Sequence, residues 1–248
     1  MTLRRQFVAA LLVTGLLTTA CGAGGTPPQV ADAPSSQALG GVLAGRTITD
    51  AEWTEVVDRT LASVVKIEVE GCSEYDAGSG SGFFTDGKVI TNRHVVKDAT
   101  RVSVTLPGNR TLSTTGWSWS ATEDLAWITF ADSDLPADLV VADSDAVPGD
   151  LVSGIGFPLG GKKTAERGRL VEFRPAYEKV SSESDVMLLT TEALPGDSGG
   201  PIINTYGRVV GVLFAMDFQR NLTMAIAGSQ LRAFLADPPP PRSLRQCD

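Results

Sequence analysis

The chain is poor in the residues that hold metals. It has one histidine and three cysteines in 248 residues, and no Cys-x-x-Cys pair. That argues against a zinc site, which draws on clustered Cys and His, and no metal or other cofactor is expected. It is also poor in positive charge. Its 21 Lys and Arg face 29 Asp and Glu, a net charge of −8. Nucleic-acid binders present a basic footprint, so no nucleic-acid partner is expected. The apolar run from Phe7 to Ala20 falls short of the roughly 20 residues that span a bilayer. Aromatic residues make up 6% of the chain, but hydrophobic residues make up 42%. That suffices for one substantial domain, or for two small barrels sharing an interface.

What is present centres on Leu194-Pro195-Gly196-Asp197-Ser198-Gly199-Gly200-Pro201. Glycines flank a serine, permit a tight turn and leave amide N–H groups unencumbered. The amides of Gly196 and Ser198 are the candidate donors of an oxyanion hole. A serine hydroxyl is a weak nucleophile until a base takes its proton. The one histidine, His94, stands in Thr91-Asn92-Arg93-His94-Val95-Val96. An imidazole base needs an acid to fix its tautomer. Asp124, in Glu123-Asp124-Leu125-Ala126-Trp127, is the candidate. Each segment alone has a plain structural explanation: a glycine turn, a core histidine, a turn aspartate. The three together in the order His, Asp, Ser point to nucleophilic catalysis.

These segments resemble the trypsin-like (chymotrypsin-fold) serine proteases over roughly residues 60–230, and among them the exported bacterial type. The chain is similar to actinobacterial membrane-anchored trypsin-like proteases, also at Phe214-Ala215-Met216. The resemblance implies an all-β fold of two six-stranded antiparallel β-barrels, with the cleft between them. It implies a serine endopeptidase in which His94, Asp124 and Ser198 are catalytic and the substrate is a protein or peptide. Family position also puts Glu192, Phe214, Ala215 and Met216 at the substrate pocket. An acid at Glu192 would favour Lys or Arg substrates; alternatively, Glu192 points to solvent. Because the base must start neutral, activity is expected to rise through roughly pH 6–7. Two other functions compete. One is a catalytically silent pseudoprotease serving as a binding module. The other is an esterase, against which stands the missing Gly-x-Ser-x-Gly elbow.

The N-terminus reads as a targeting segment. Arg4 and Arg5 precede the apolar run, and Leu17-Thr18-Thr19-Ala20-Cys21 resembles a bacterial lipobox. Residues 1–20 are expected to be a signal peptide, with lipidation at Cys21. The Gly-, Ala-, Pro- and Ser-rich residues 21–46 then form a lipid-anchored flexible linker, and residues 47–248 the protease domain. The protein is expected as a monomeric lipoprotein on the outer face of the cytoplasmic membrane, or alternatively secreted. Losing Arg4 and Arg5 takes the net charge from −8 to −10, so only the lipid would hold it at an anionic surface. With Cys21 lipidated, Cys72 and Cys247 remain, and in an exported protein such a pair is most simply a disulfide. The resemblance to the membrane-anchored proteases implies a similar bond.

No Ile-Val-Gly-Gly-like start is present, so the acid before the serine, Asp197, is expected to find a different partner or stay solvated. Thr49-Asp50-Ala51-Glu52 reads as a capping box, and Trp53, Val56, Val57 and Leu61 fall on one helical face. Ser79–Phe84, a turn at Asp86-Gly87 and Lys88–Thr91 read as a hairpin delivering His94. Further strands are expected at 62–70, 101–106, 111–119, 125–130, 139–142, 150–157, 163–174, 186–191, 201–204, 208–216 and 222–227. A C-terminal helix at 229–236 should end at the prolines from Pro238 to Pro241.

Overall fold

The computed structural model describes residues 48–73, 76–175, 184–242 and 247. The expected signal peptide, Cys21 and the whole of the linker lie outside the described residues. Helix α1 (Asp50–Leu61) starts as the sequence requires. The Glu52 amide donates to Thr49 Oγ1 at 3.3 Å, and the Thr49 amide donates to Glu52 Oε2 at 2.9 Å. Two otherwise unpaired donors are thereby satisfied at the helix start.

Six strands follow: β1 (Val64–Glu70), β2 (Gly78–Thr85), β3 (Lys88–Thr91), β4 (Arg101–Thr105), β5 (Thr111–Trp119) and β6 (Ala126–Phe130). They close in the order β1-β2-β3-β6-β5-β4. The second set is β7 (Leu151–Gly156), β8 (Thr164–Arg174), β9 (Val186–Leu189), β10 (Pro201–Ile203), β11 (Val209–Asp217) and β12 (Leu222–Ala227). It closes as β10-β11-β12-β9-β8-β7. The seam is short, with Ile202 opposite Gly154 and Ile203 opposite Ser153. All these pairings are antiparallel, as expected. The segment expected as a strand at 139–142 makes only an isolated bridge, Val141 to Val209.

Strand alternation divides the core. On β1 and β3, Val65, Ile67 and Val89 fill the first barrel, while Val64 and Ile90 face the other way. Those outward residues join Ile155, Val212 and Phe214 of the second barrel in a shared cluster. Trp53 and Val56 of α1 belong to it, as do Leu231 and Phe234 of the C-terminal helix α3 (Gly228–Ala236). Each fully buried Val, Ile or Phe contributes roughly 1.5–3 kcal/mol, so the interface between the barrels is as much a core as either interior.

Beyond α3 the chain returns over the first barrel. The Trp127 indole N–H donates to the Pro239 carbonyl at 3.0 Å. The Arg242 amide donates to Trp117 O at 3.2 Å, and its guanidinium lies 4.2 Å from the Trp119 ring centroid. Cys72 and Cys247 form the expected disulfide, Cα to Cα 5.4 Å.

Candidate active site

Register brings two of the candidate residues together. β3 pairs with β6 so that Thr91 lies opposite Ala126. The residues just after β3 therefore face those just before β6. Asn92 has extended backbone and opens α2 (Arg93–Val96), a single turn that holds His94. The Asn92 side-chain amide donates to the Asp124 carbonyl at 2.8 Å. Arg93 Nη1 donates to Ser120 O at 3.2 Å and to Ala121 O at 2.7 Å, fixing the loop before Asp124.

Asp124 is buried, 1% exposed. Its Oδ2 lies 2.6 Å from His94 Nδ1, and its Oδ1 accepts from the His94 amide at 2.8 Å. Both carboxylate oxygens are thus engaged by one residue. The His94 side chain is 39% exposed, so its other ring nitrogen is open to a reacting partner.

Ser198 comes from the second barrel. The Asp197 amide donates to Leu194 O, Gly200 N to Asp197 O and Gly199 N to Leu213 O, at 2.7–3.0 Å. Gly196 has φ +102°, and a Cβ there would stand 2.5 Å from Phe157 O. Glycine is required at that position. Among the described residues, neither the Gly196 nor the Ser198 amide donates to a protein acceptor. The Ser198 hydroxyl donates to the Phe214 carbonyl at 3.4 Å. A bond that long holds the hydroxyl weakly and leaves it able to turn to another acceptor.

Ser81 was not foreseen. It is fully buried and joins the first barrel to this loop. Its amide donates to Ser198 O at 2.8 Å, its hydroxyl donates to Gly196 O at 2.7 Å, and it accepts from the Phe157 amide at 2.9 Å. The Thr91 hydroxyl donates to the Ser81 carbonyl at 2.7 Å. The only sequence signal was the glycine on either side, which reads as close backbone approach.

Asp197 is not solvated: it is 5% exposed. Oδ2 accepts from the Leu194 amide at 2.8 Å, while Oδ1 has no partner among the described residues. Burial pushes its carboxyl above the usual value, the Leu194 amide opposes this, and the nearby Glu166 charge adds to it. Of the proposed pocket residues, Phe214 is buried and Ala215 and Met216 are half-buried on β11, which bulges between Leu213 and Ala215. Glu192 is exposed.

The trypsin-like peptidase domain family matches residues 80–212, more than half of the chain. The mitochondrial serine protease HTRA2 of Bos taurus is 31% identical over 192 residues, covering 73% of this chain and 42% of that protein. The putative serine protease HhoB of Synechocystis is 35% identical over 143 residues, 55% of this chain and 34% of that protein. The chain spans less than half the length of these relatives. The active form of the Rv3671c protease from M. tuberculosis superposes with TM-score 0.69 at 28% identity, covering 83% of this chain and 99% of that one.

Proposed function

The chain belongs to the trypsin-like peptidase family, and on that premise we propose that it is a serine endopeptidase working through His94, Asp124 and Ser198. The observation that carries this reading is the buried Asp124 carboxylate 2.6 Å from His94 Nδ1. It favours the tautomer with the proton on Nδ1 and leaves Nε2 as the base.

The Ser198 hydroxyl leaves the Phe214 carbonyl and gives its proton to His94 as Oγ attacks the peptide carbonyl. The Gly196 and Ser198 amides, which meet no protein acceptor among the described residues, stabilise the oxyanion. His94 then passes the proton to the leaving amine. Water, deprotonated by His94, cleaves the acyl-enzyme and restores the serine. β11 offers an edge for the acyl side of the substrate. From Phe214 onward its pairing is with β12 alone, β10 having stopped at Val212. Added strands gain main-chain hydrogen bonds there, and Phe214, Ala215 and Met216 would line the primary pocket. The exposed position of Glu192 speaks for a solvent-facing acid and not a pocket floor.

The same reading includes export, a lipid at Cys21, and action as a monomer on proteins outside the cytoplasmic membrane. Its support is the lipobox-like sequence. The test is a fluorophosphonate probe on the full chain, beside Ser198→Ala and His94→Ala. Adduct at Ser198 that is lost in both variants is expected. Well-folded protein that takes no probe would refute the reading in favour of the pseudoprotease. Detergent-phase partition that survives Cys21→Ser would refute the anchor.

A further inference from the structure

A cavity of about 350 Å³ opens beside the turn that joins β10 to β11. No residue of the triad or of the nucleophile loop lines it. One wall is Asn204, Tyr206 and Arg208 of that turn. The other is Ala142, Asp143 and Ser144, on the connection between the barrels. The volume lies at the lower end of the roughly 300–1,000 Å³ typical of ligand sites, which suits a small ligand.

Both walls are held by their own hydrogen bonds. Asn204 Oδ1 accepts from the Tyr206 and Arg208 amides at 3.0 and 3.1 Å, and the Asn204 amide donates to Arg208 O at 3.0 Å. Gly207, at φ +75°, lies against Val56 and Thr60 of α1. Across the cavity, the Ala142 amide donates to Val209 O at 2.8 Å. Arg232 of α3 donates to Ala142 O at 2.7 Å and to Asp145 Oδ1 at 3.0 Å.

The walls present a mixed chemistry. Tyr206 is 60% exposed, and its ring meets no other aromatic ring or cation among the described residues. Arg208 Nη1 donates to Asp143 Oδ2 at 3.0 Å. Arg208 Nη2 and Nε remain to donate, and Asp143 Oδ1 remains to accept. Asn204 Nδ2 and Ser144 Oγ have no partner among the described residues. Arg208 and Asp143 cancel in charge, so a carboxylate or phosphate would meet Asp143 as closely as Arg208. An aliphatic side chain would leave the polar groups unsatisfied. A sugar ring answers every feature. Its C–H face lies on an aromatic ring, and its neighbouring hydroxyls each donate and accept, as the adjacent Asp143 and Arg208 require.

We propose that this cavity binds a neutral pyranose glycan, stacked on Tyr206 and held by Asp143, Arg208 and Asn204. Ser198 is not part of it, so the site holds the protein on a glycan and does not choose the bond that is cut.

The test is saturation-transfer NMR and calorimetric titration of the full chain, in a detergent without sugar, with cellotriose, maltotriose and chitotriose. At least one is expected to bind with a dissociation constant of about 1 mM or tighter, and equally well to Ser198→Ala. Tyr206→Ala should weaken that binding about tenfold, while Tyr206→Phe, which keeps the ring, should stay within about threefold. Asp143→Asn should also weaken it about tenfold. Both side chains are exposed, so the variants should keep the wild-type urea midpoint. Affinity weaker than about 10 mM for all three sugars, or affinity unchanged in Tyr206→Ala, would overturn the proposal. Tighter binding of a hexaglutamate peptide than of every sugar would overturn it in favour of an acidic protein partner.

Discussion

Asp124→Asn tests the site most sharply, because the two bonds to Asp124 differ in kind. Oδ1 accepts from the His94 main-chain N–H, which can only donate. Oδ2 faces Nδ1 of the ring, which can donate or accept. In the variant the amide oxygen must stay on the main-chain N–H, since an NH2 there would set donor against donor. The NH2 is then turned toward Nδ1 and forces that atom to accept. The ring proton moves to Nε2, where it blocks transfer from Ser198. The expected loss in kcat is about 10⁴-fold, or ~5 kcal/mol of transition-state stabilisation. The fold should lose only about 1–3 kcal/mol, the scale of one charge-assisted bond. Peptide turnover and urea denaturation, run on the same preparation, separate the two. A variant that keeps more than about a tenth of wild-type kcat would refute the role given to Asp124.

Four further outcomes are expected. Ser81→Ala frees the Gly196 carbonyl and the Phe157 amide, so the fluorophosphonate labelling rate should fall roughly 10–100-fold, in proportion to the 1–3 kcal/mol of unsatisfied buried groups; an unchanged rate counts against Ser81 as a positioning residue. Gly196→Ala meets Phe157 O and an unfavourable φ, so calorimetry should show a destabilisation of roughly 1–3 kcal/mol together with lost labelling. Reducing Cys72–Cys247, which spans 175 residues of sequence, should cost about 2–5 kcal/mol in guanidinium unfolding, and equal free-thiol counts before and after reduction would show that the bond is absent. Lys163 sits with its ammonium on the Leu61 carbonyl, and burial lowers its pKa from 10.5 to about 8. The unfolded chain therefore holds more protons between those values, and stability should rise with pH from about 8 to 10.5; Lys163→Met should flatten that rise.

Much of the fold was legible because local rules agreed with one another. The capping box opened α1 at the expected residue. β5 and β12 match the expected bounds, since alternation and turn residues mark both ends. The segment 139–142 reads like a strand because Leu139, Val140 and Val141 are β-formers, yet it only bridges Val209. Propensity cannot say whether a partner edge is free, and here it is mostly not. The return of the chain after α3 was readable only at its end, where the expected Cys72–Cys247 bond ties it to the first barrel; the contacts along the way were not. Pro238 to Pro241 give a stiff extended segment, but the acceptor at Pro239 matters only because Trp127 stands under it.

The site divides along the same line. His94 and Asp124 meet through a register that hydrophobic alternation fixes, so the pair follows from sequence once β3 and β6 are neighbours. Ser198 does not follow, because it arrives from the other barrel. What joins the two is backbone contact too tight for side chains: a Cβ at Gly80 would stand 3.2 Å from Ser198 O, and one at Gly199 would stand 2.2 Å from Ser81 O. Gly80 and Gly199 are therefore the two sides of one seam, whose strands lie 115 residues apart in sequence at the Ser81–Gly196 bond, while Gly82 makes room within its own barrel and Gly196 and Gly200 within the second. Alone, the 196–200 cluster reads as a turn and the 78–82 cluster as close approach by an unnamed backbone. A glycine-dense strand that pairs with its neighbour residue for residue, as β2 does with β1, has no turn to make, and at Gly80 the glycine is explained by a second backbone pressed against it.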